Sequence, residues 1–257
     1  MRPNLSFESR RSSSAAQLER LDPMSATERT PAEARADYER QMGPELGSTY
    51  GQLWQEVAWI HSKWEEYVVL FGTSPERVAL LNEAAPSFCR LIQDTLWEDV
   101  LIHIGRLTDR PSTGGKGRDN LSLLALPELV DRPPTKAKVE SQIGVCLASS
   151  AFARDWRNRH IAHRDLRLAL GSSSLPLAAA SRAMVVNALQ DMTAVMNCVA
   201  KEYLDSTSFF ESGPSIGGAL ELLYVLRDGV AARKDRLARL ERGELSPSDF
   251  LGSMHEI

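Results

Sequence analysis

The chain of 257 residues lacks several features that would assign it to a large class of proteins. It has three cysteines, Cys89, Cys146 and Cys198, which are widely spaced and form no CxxC pair. That spacing argues against a disulfide framework and a structural zinc site, and it favours a reducing, cytoplasmic compartment. No run of about 18 uncharged apolar residues is present, so we expect no membrane-spanning helix. The charged N-terminal residues have no apolar block behind them, so we expect no secretory signal.

An excess of basic residues is also absent. The chain has 30 Lys and Arg against 34 Asp and Glu, a formal net charge of −4. Proteins that coat nucleic acids present long basic surfaces, so this balance argues against that class. It remains compatible with an enzyme that grips one phosphate at one local basic site.

The alternation of apolar and polar residues that marks β-strands is absent throughout the chain. Apolar residues instead recur at steps of three and four, as in Leu53, Val57, Ile60 and Trp64, which indicates amphipathic helices. The fold class is therefore predicted to be all-α, a four-helix bundle with an extra C-terminal helix. The predicted helices cover about residues 48–71, 75–109 with a break at Pro86, 122–129, 135–165, 177–204 and 217–242. Ser74 is predicted to cap the second of them.

The two ends of the chain are predicted to lie outside this bundle. Residues 1–46 are rich in serine, proline and scattered charges, and such a segment buries too little apolar surface to offset its ordering entropy. We therefore expect a flexible, disordered N-terminal tail over 1–46, with a short helix around Ala32 to Gln41. The bundle domain is placed at 47–242, and a C-terminal tail at 243–257.

The segment Ala153 to Arg167, with sequence ARDWRNRHIAHRDLR, concentrates chemistry that the rest of the chain lacks. It holds five arginines and two aspartates, a local charge of +3, and two of the five histidines. Arginine presents a planar fork of donors that fits phosphate, and histidine exchanges protons near neutral pH. This combination suits chemistry on a phosphodiester. A solvated, Arg-rich helix face with two ordinary histidines is the competing interpretation.

Helical geometry bears on which of these side chains can meet. On a straight helix His160 and His163 continue the inward stripe of Phe152, so His163 is predicted to face the core. Arg157 then lies about 120° away from His163. Either the helix unwinds near residues 161–162, or the two side chains converge across a dimer interface. If the helix stays straight, Arg159, at i,i+4 to His163, is the better partner.

Residues 157–163, RNRHIAH, are similar to the signature of the HEPN superfamily. That signature is an arginine, a polar residue directly after it, and a histidine following four to six intervening residues. The segments LWQEVAWIHSKWEEYVVLFGTSPERVALLNEAAPSF, LWEDVLIHIGRLTDRP and DWRNRHIAHRDL resemble the AbiU-type, or abortive-infection, branch of that superfamily. The resemblance covers about residues 46–205.

The resemblance implies a bundle that forms a homodimer, with two motifs in one cleft, and an activity as a metal-independent endoribonuclease in toxin or phage-defence systems. By this resemblance Arg157 would hold the scissile phosphate, His163 would act as general acid or base, and Asn158 would orient either group. The product would carry a 2′,3′-cyclic phosphate. Secondary candidates are Arg159, His160 and Asp165, the last of which either fixes the tautomer of a neighbouring histidine or pairs with Arg164 or Arg167 at the surface. An antitoxin or regulatory partner is compatible with this class.

Several other patterns point to weaker interpretations. We expect no cofactor and no metal, because His160 and His163 have no HExxH pattern or cysteine cluster to complete a site. The loop at 114–117, GGKG, lacks P-loop spacing and is predicted to be a flexible loop. The carboxylates of Glu98, Asp99 and Asp109 either line the cleft or form a solvated face. Two alternatives to an enzyme remain, namely a non-catalytic module that binds RNA, nucleotide or a partner, and a purely structural dimerisation bundle.

Overall fold

The computed structural model describes residues 30–112, 119–172, 175–211 and 217–244. Over these ranges the chain is helical, and its one β-type pairing is an isolated bridge between Ser112 and Asp119. The all-α prediction is therefore confirmed. The helices are α1 Pro31–Met42, α2 Pro44–Tyr67, α3 Pro75–Ala84, α4 Pro86–Leu107, α5 Leu126–Leu129, α6 Pro133–Ser149, α7 Ala151–Trp156, α8 Leu166–Ala169, α9 Arg182–Tyr203 and α10 Ala219–Glu241.

Two π-helical turns, Val68–Gly72 after α2 and Arg157–Ile161 after α7, extend these helices. The predicted break at Pro86 is confirmed, since α3 ends at Ala84 and α4 begins at Pro86. Proline is tolerated at a first helical position because the amide it lacks would have no partner there. Ser74 caps α3 as predicted, with its hydroxyl accepting from the amide of Arg77.

The four long helices α2, α4, α6 and α9 enclose the main core. The predicted inward stripe of α2 is buried, and it packs against apolar side chains of α4, α6 and α9. Burial of this apolar surface is the main force that holds the bundle together. The extra C-terminal helix α10 packs outside the bundle against α3, through a smaller cluster that includes Leu81 and Leu223.

The bundle begins earlier than the predicted boundary at residue 47. Helix α1 opens with a capping box at Thr30 and Glu33, and Met42 and Leu46 are buried in the main core. The ring of Tyr38 meets that of Tyr50 edge-on at 5.1 Å. The short helix predicted around Ala32 to Gln41 is confirmed, but the polar average over residues 1–46 concealed its apolar contacts with the bundle. Residues 1–29, the 114–117 loop and the C-terminal tail beyond residue 244 lie outside the described residues.

Candidate functional site

The predicted motif-bearing helix over 135–165 is three elements in the structure. It breaks after Ser149, where the hydroxyl of Ser150 donates to the carbonyl of Cys146 at 2.6 Å. Serine competes for backbone groups in this way and weakens a helix interior. Helix α7 follows and widens at Arg157 into the π turn, in which the amide of Ala162 donates to the carbonyl of Arg157 at 2.8 Å. The helix thus widens and ends at residues 161–162, where unwinding was one of the two alternatives.

Arg157 is held against α4 at the start of this turn. Its guanidinium donates to the carboxylate of Asp109, and its Nε and second terminal nitrogen reach Oδ1 of Asn158 at 3.0 and 2.9 Å. Its aliphatic stem lies over Gly105 so closely that a Cβ built there would be 3.3 Å from Cδ of Arg157. The Arg157 side chain is 21% exposed. Gly105, Asp109 and Asn158 therefore fix the orientation of this guanidinium.

Arg154 adds a second positive charge beside Arg157. One terminal nitrogen of Arg154 donates to the hydroxyls of Thr108 and Ser150 at 3.2 and 2.8 Å, and the other donates to the carbonyl of Leu147 at 2.7 Å. Burial lowers the pKa of Arg154, and the neighbouring charge of Arg157 acts in the same direction. Two guanidinium groups thus face one carboxylate, which leaves this corner of the bundle positively charged. Sequence reasoning assigned no role to Arg154, although its place in the basic segment was visible.

His163 does not face the core, so that part of the prediction is wrong. The π turn ends at Ile161, the chain leaves the helix at Ala162, and His163 is exposed. Within the described part of the chain no hydrogen bond or ion pair reaches its ring, and none joins it to Arg157. The imidazole is therefore open to an incoming ligand or to another chain.

Arg159 does not pair with His163 either. Its guanidinium donates to the carbonyls of Leu175 and Pro176 at 2.6 and 3.1 Å and lies 3.4 Å from the carboxylate of Asp155. The same Asp155 accepts from the amide of Ala178 at 2.9 Å. These bonds hold the chain at 175–178 in an extended conformation, so α9 begins at Arg182 and not near residue 177 as predicted.

Asp165 has neither of its two predicted roles. Its carboxylate accepts from the amide of Leu168 at 2.9 Å, and this bond caps the short helix α8. Among the described residues its carboxylate has an ion pair with Arg159, whose Nε is 4.0 Å away, and none with Arg164 or Arg167. Its contribution is to end the loop that carries His163.

His160 lies beside a groove at the edge of the motif. Its ring meets Trp156 edge-on at 5.3 Å, and its Nε2 is 4.0 Å from Oε1 of Glu98. The groove has a volume of 660 Å³. We call it the aromatic groove. Its lining includes Tyr67, Phe71, Trp97, Glu98, Trp156 and His160, together with the charged side chains of Arg90, Asp94 and Arg182.

The described ranges contain neither a cluster of metal-ligating side chains nor a helix that could span a membrane. There, no three His, Cys, Asp or Glu side chains are grouped as a metal site would require. None of the described helices is both long enough and apolar enough to cross a bilayer.

A helical bundle with an Arg-Asn-x4-His motif at the end of a core helix defines a HEPN-type domain. The family model HEPN_AbiU2, described as AbiU2, matches residues 43–213, which is more than half of the chain. The chain therefore belongs to the AbiU2 family of HEPN domains. The match begins at Gly43, the residue before α2, so α1 and α10 lie outside it. No curated protein and no solved structure matches the chain significantly.

Proposed function

We propose that this protein is a metal-independent endoribonuclease. The observation that carries the proposal is the position of Arg157, which is fixed over Gly105 while His163 is exposed two residues beyond the end of the π turn that Arg157 begins. A fixed cation and an open imidazole are the two kinds of group that phosphodiester cleavage requires. Asn158 orients the guanidinium through its side-chain oxygen.

Arg157 is the phosphate-holding group in this proposal. A carboxylate and a phosphate present similar oxygen pairs to a guanidinium, so Asp109 occupies the position that a phosphate oxygen would take. Arg154 adds a second positive charge that acts on Arg157, and this charge keeps the local electrostatic potential positive when the RNA backbone approaches. The scissile phosphate thus displaces the carboxylate of Asp109 and binds the Arg157 guanidinium in its place.

The chemistry uses the 2′-hydroxyl of RNA as the nucleophile. One imidazole takes the proton of the 2′-hydroxyl, and the 2′-oxygen forms a bond to phosphorus. The bond from phosphorus to the 5′-oxygen breaks, and a second imidazole donates a proton to that leaving oxygen. The products are a 2′,3′-cyclic phosphate and a 5′-hydroxyl, without oxidant, reductant or metal.

A homodimer supplies the second imidazole in this scheme. Three leucines that follow His163 in the chain, Leu166, Leu170 and Leu175, are exposed. Exposed apolar side chains close in sequence to a motif that needs a second copy favour association of two chains there. Each cleft would then contain two Arg157 and two His163 side chains.

The cellular role that we propose is phage defence by abortive infection, or a toxin controlled by an antitoxin or regulatory partner, in the cytoplasm. The family assignment supports this role. Induction of the wild-type chain should arrest growth, whereas induction of His163→Ala at equal protein level should not. Equal growth arrest by both chains would contradict the proposed role.

Cleavage of single-stranded RNA in EDTA tests the activity. The wild type should cleave, and Arg157→Ala and His163→Ala should each lose about 100-fold or more in rate. Arg167→Ala removes an exposed arginine nearby and should cleave like the wild type. Melting temperatures of all four proteins establish that the losses are not caused by unfolding. Strict dependence on added metal, or equal rates in all four proteins, would refute the proposal.

A non-catalytic module that binds RNA, nucleotide or a protein partner is the second candidate. It is favoured by the pairing of Arg157 with Asp109, which neutralises the guanidinium in the free protein. This candidate predicts RNA binding without turnover, and the same affinity in the wild type and in His163→Ala.

A further inference from the structure

We infer that the aromatic groove binds one base of the RNA strand and selects guanine through Glu98. This inference rests on the proposed ribonuclease function and names the substrate preference of that same site. It concerns a base next to the phosphate that Arg157 holds. The groove volume of 660 Å³ is large enough for a nucleoside.

The groove offers flat aromatic surfaces held by their neighbours. The ring of Trp97 packs against Tyr67 at 5.7 Å and against Trp64 at 6.2 Å, so its position is set by the core. Trp156, which also lines the groove, is fixed by a hydrogen bond from its Nε1 to the carbonyl of Ala178 at 2.8 Å. Both indoles are only partly buried. Aromatic surfaces of this kind bind bases of single-stranded RNA by stacking.

One carboxylate in the groove is available to read the edge of a base. Asp94 is held by Arg90 at 2.8 Å. Glu98 lies 4.0 Å from Nε2 of His160, beyond hydrogen-bond distance, and its side chain is 43% exposed. The carboxylate of Glu98 can therefore accept two hydrogen bonds from a ligand.

Guanine matches this acceptor better than the other three bases. Its Watson–Crick edge carries two adjacent donors, N1–H and the N2 amino group, which fit the two oxygens of one carboxylate. Adenine and cytosine place an acceptor beside their single amino group, and uracil flanks its N–H with two carbonyls. A carboxylate facing those acceptors is repelled, so Glu98 discriminates against all three.

The groove adjoins the motif in the chain, because Trp156 and His160, which flank Arg157, both line it. The π turn runs beside α4 so that Arg157 lies over Gly105 and His160 lies near Glu98. Those two positions of α4 are seven residues apart, or about 10 Å along the helix axis. An RNA strand with its phosphate on Arg157 therefore brings a neighbouring base to the groove.

Quenching of tryptophan fluorescence by nucleoside monophosphates tests the inference without any cleavage. In EDTA, GMP should bind the wild type about 10-fold more tightly than AMP, CMP or UMP. Glu98→Gln should abolish that preference while the binding of AMP changes less than about twofold. Glu140→Gln, which makes the same charge change on the exposed face of α6, should retain the preference. Trp97→Leu should weaken the binding of all four nucleotides.

Equal binding of the four nucleotides, no binding, or a preference retained in Glu98→Gln would overturn the inference. Quenching by an apolar peptide with no response to any nucleotide would also overturn it and would indicate a protein-docking groove. The His163→Ala variant separates this result from the proposed activity, because it should bind GMP like the wild type and cleave nothing. RNA cleavage without preference for guanine contradicts only the proposed selection of guanine in the aromatic groove. GMP binding without RNA cleavage contradicts only the proposed ribonuclease activity.

Discussion

Arg157 is the residue on which the chemistry of this bundle depends. Its guanidinium is oriented by Asn158, seated on Gly105 and neutralised by Asp109. Its partners Gly105 and Asp109 could not be derived from the basic segment alone, because they lie some 50 positions away along the chain. The sequence pattern therefore predicts the motif, and tertiary packing determines which carboxylate faces it.

Replacing Asp109 tests whether this carboxylate competes with phosphate. Asp109→Asn removes the negative charge that Arg157 faces, so we expect RNA to bind roughly two- to five-fold more tightly at low salt. The melting temperature should fall slightly, because a partly buried guanidinium loses its charged partner. Fluorescence anisotropy of a labelled RNA measures the affinity.

The matched control is Asp99→Asn, which removes the same charge from α4 at the Lys63 ion pair. It should leave RNA affinity within twofold of the wild type. Weaker RNA binding by Asp109→Asn would show that Asp109 positions Arg157 for phosphate and does not compete with it.

At the scale of elements, local patterns predict the helices whose ends depend on nearby residues. The stripe of α2, the Ser74 cap and the Pro86 break are of this kind, and all are confirmed. The π turn is different, because the same residues have little local preference between an α turn and a π turn. In the structure the π turn accompanies the docking of Arg157 on Gly105 and Asp109. The extended chain before α9 likewise depends on side chains from α7 and the π turn.

Gly105 should be required because the stem of Arg157 occupies the space of a side chain. Gly105→Ala places a Cβ 3.3 Å from Cδ of Arg157, so the Arg157 side chain must give by a few tenths of an ångström. We expect RNA cleavage to fall about threefold or more, since catalysis depends on the precise position of a group that holds the scissile phosphate. Rates in EDTA and melting temperatures measure the two consequences.

Gly144→Ala is the control for this experiment. Gly144 lies on α6 with nothing within 4 Å of a built Cβ, so alanine there should stabilise the helix by about 0.5–1 kcal/mol without changing cleavage. If Gly105→Ala cleaved RNA at the wild-type rate, the packing of Arg157 over Gly105 would not matter for activity.

At the scale of the whole molecule, the proposed cleavage requires two chains. Leu170, with 71% of its surface exposed, follows His163 by seven residues in the chain. A charge there should oppose burial against a second copy, so Leu170→Glu should be monomeric by analytical ultracentrifugation and should cleave at least about 10-fold more slowly. Val225→Glu, at a valine 68% exposed on α10, should remain dimeric and active. A wild-type monomer that cleaves RNA would contradict the dimer.

The stability of the whole fold should also depend on pH through two buried histidines. Burial lowers the pKa of His61 and that of His103, where Arg106 acts in the same direction. In the unfolded chain both groups take up a proton near pH 6.5, whereas in the folded chain they stay neutral to a lower pH. The free energy of unfolding should therefore fall as the pH drops through about 6.5, by at most about 1.4 kcal/mol per pH unit for each histidine.

Thermal melting between pH 7.5 and 5.5 measures this dependence. His61→Gln should unfold with a weaker dependence on pH in that window, whereas His163→Gln, at an exposed ring, should follow the wild type. A melting temperature that rises as the pH falls would show that these rings are stabilised in their charged form.

The claim that the motif cleaves RNA through the 2′-hydroxyl is tested most directly at one mapped cleavage position. An RNA with a single 2′-deoxy substitution there is compared with the unmodified RNA in EDTA, and the 3′ ends are identified by mass spectrometry. If the 2′-oxygen attacks the phosphate, the substituted position is not cleaved and the unmodified RNA yields a 2′,3′-cyclic phosphate. Cleavage at the 2′-deoxy position, or products with a 3′-hydroxyl, would contradict it.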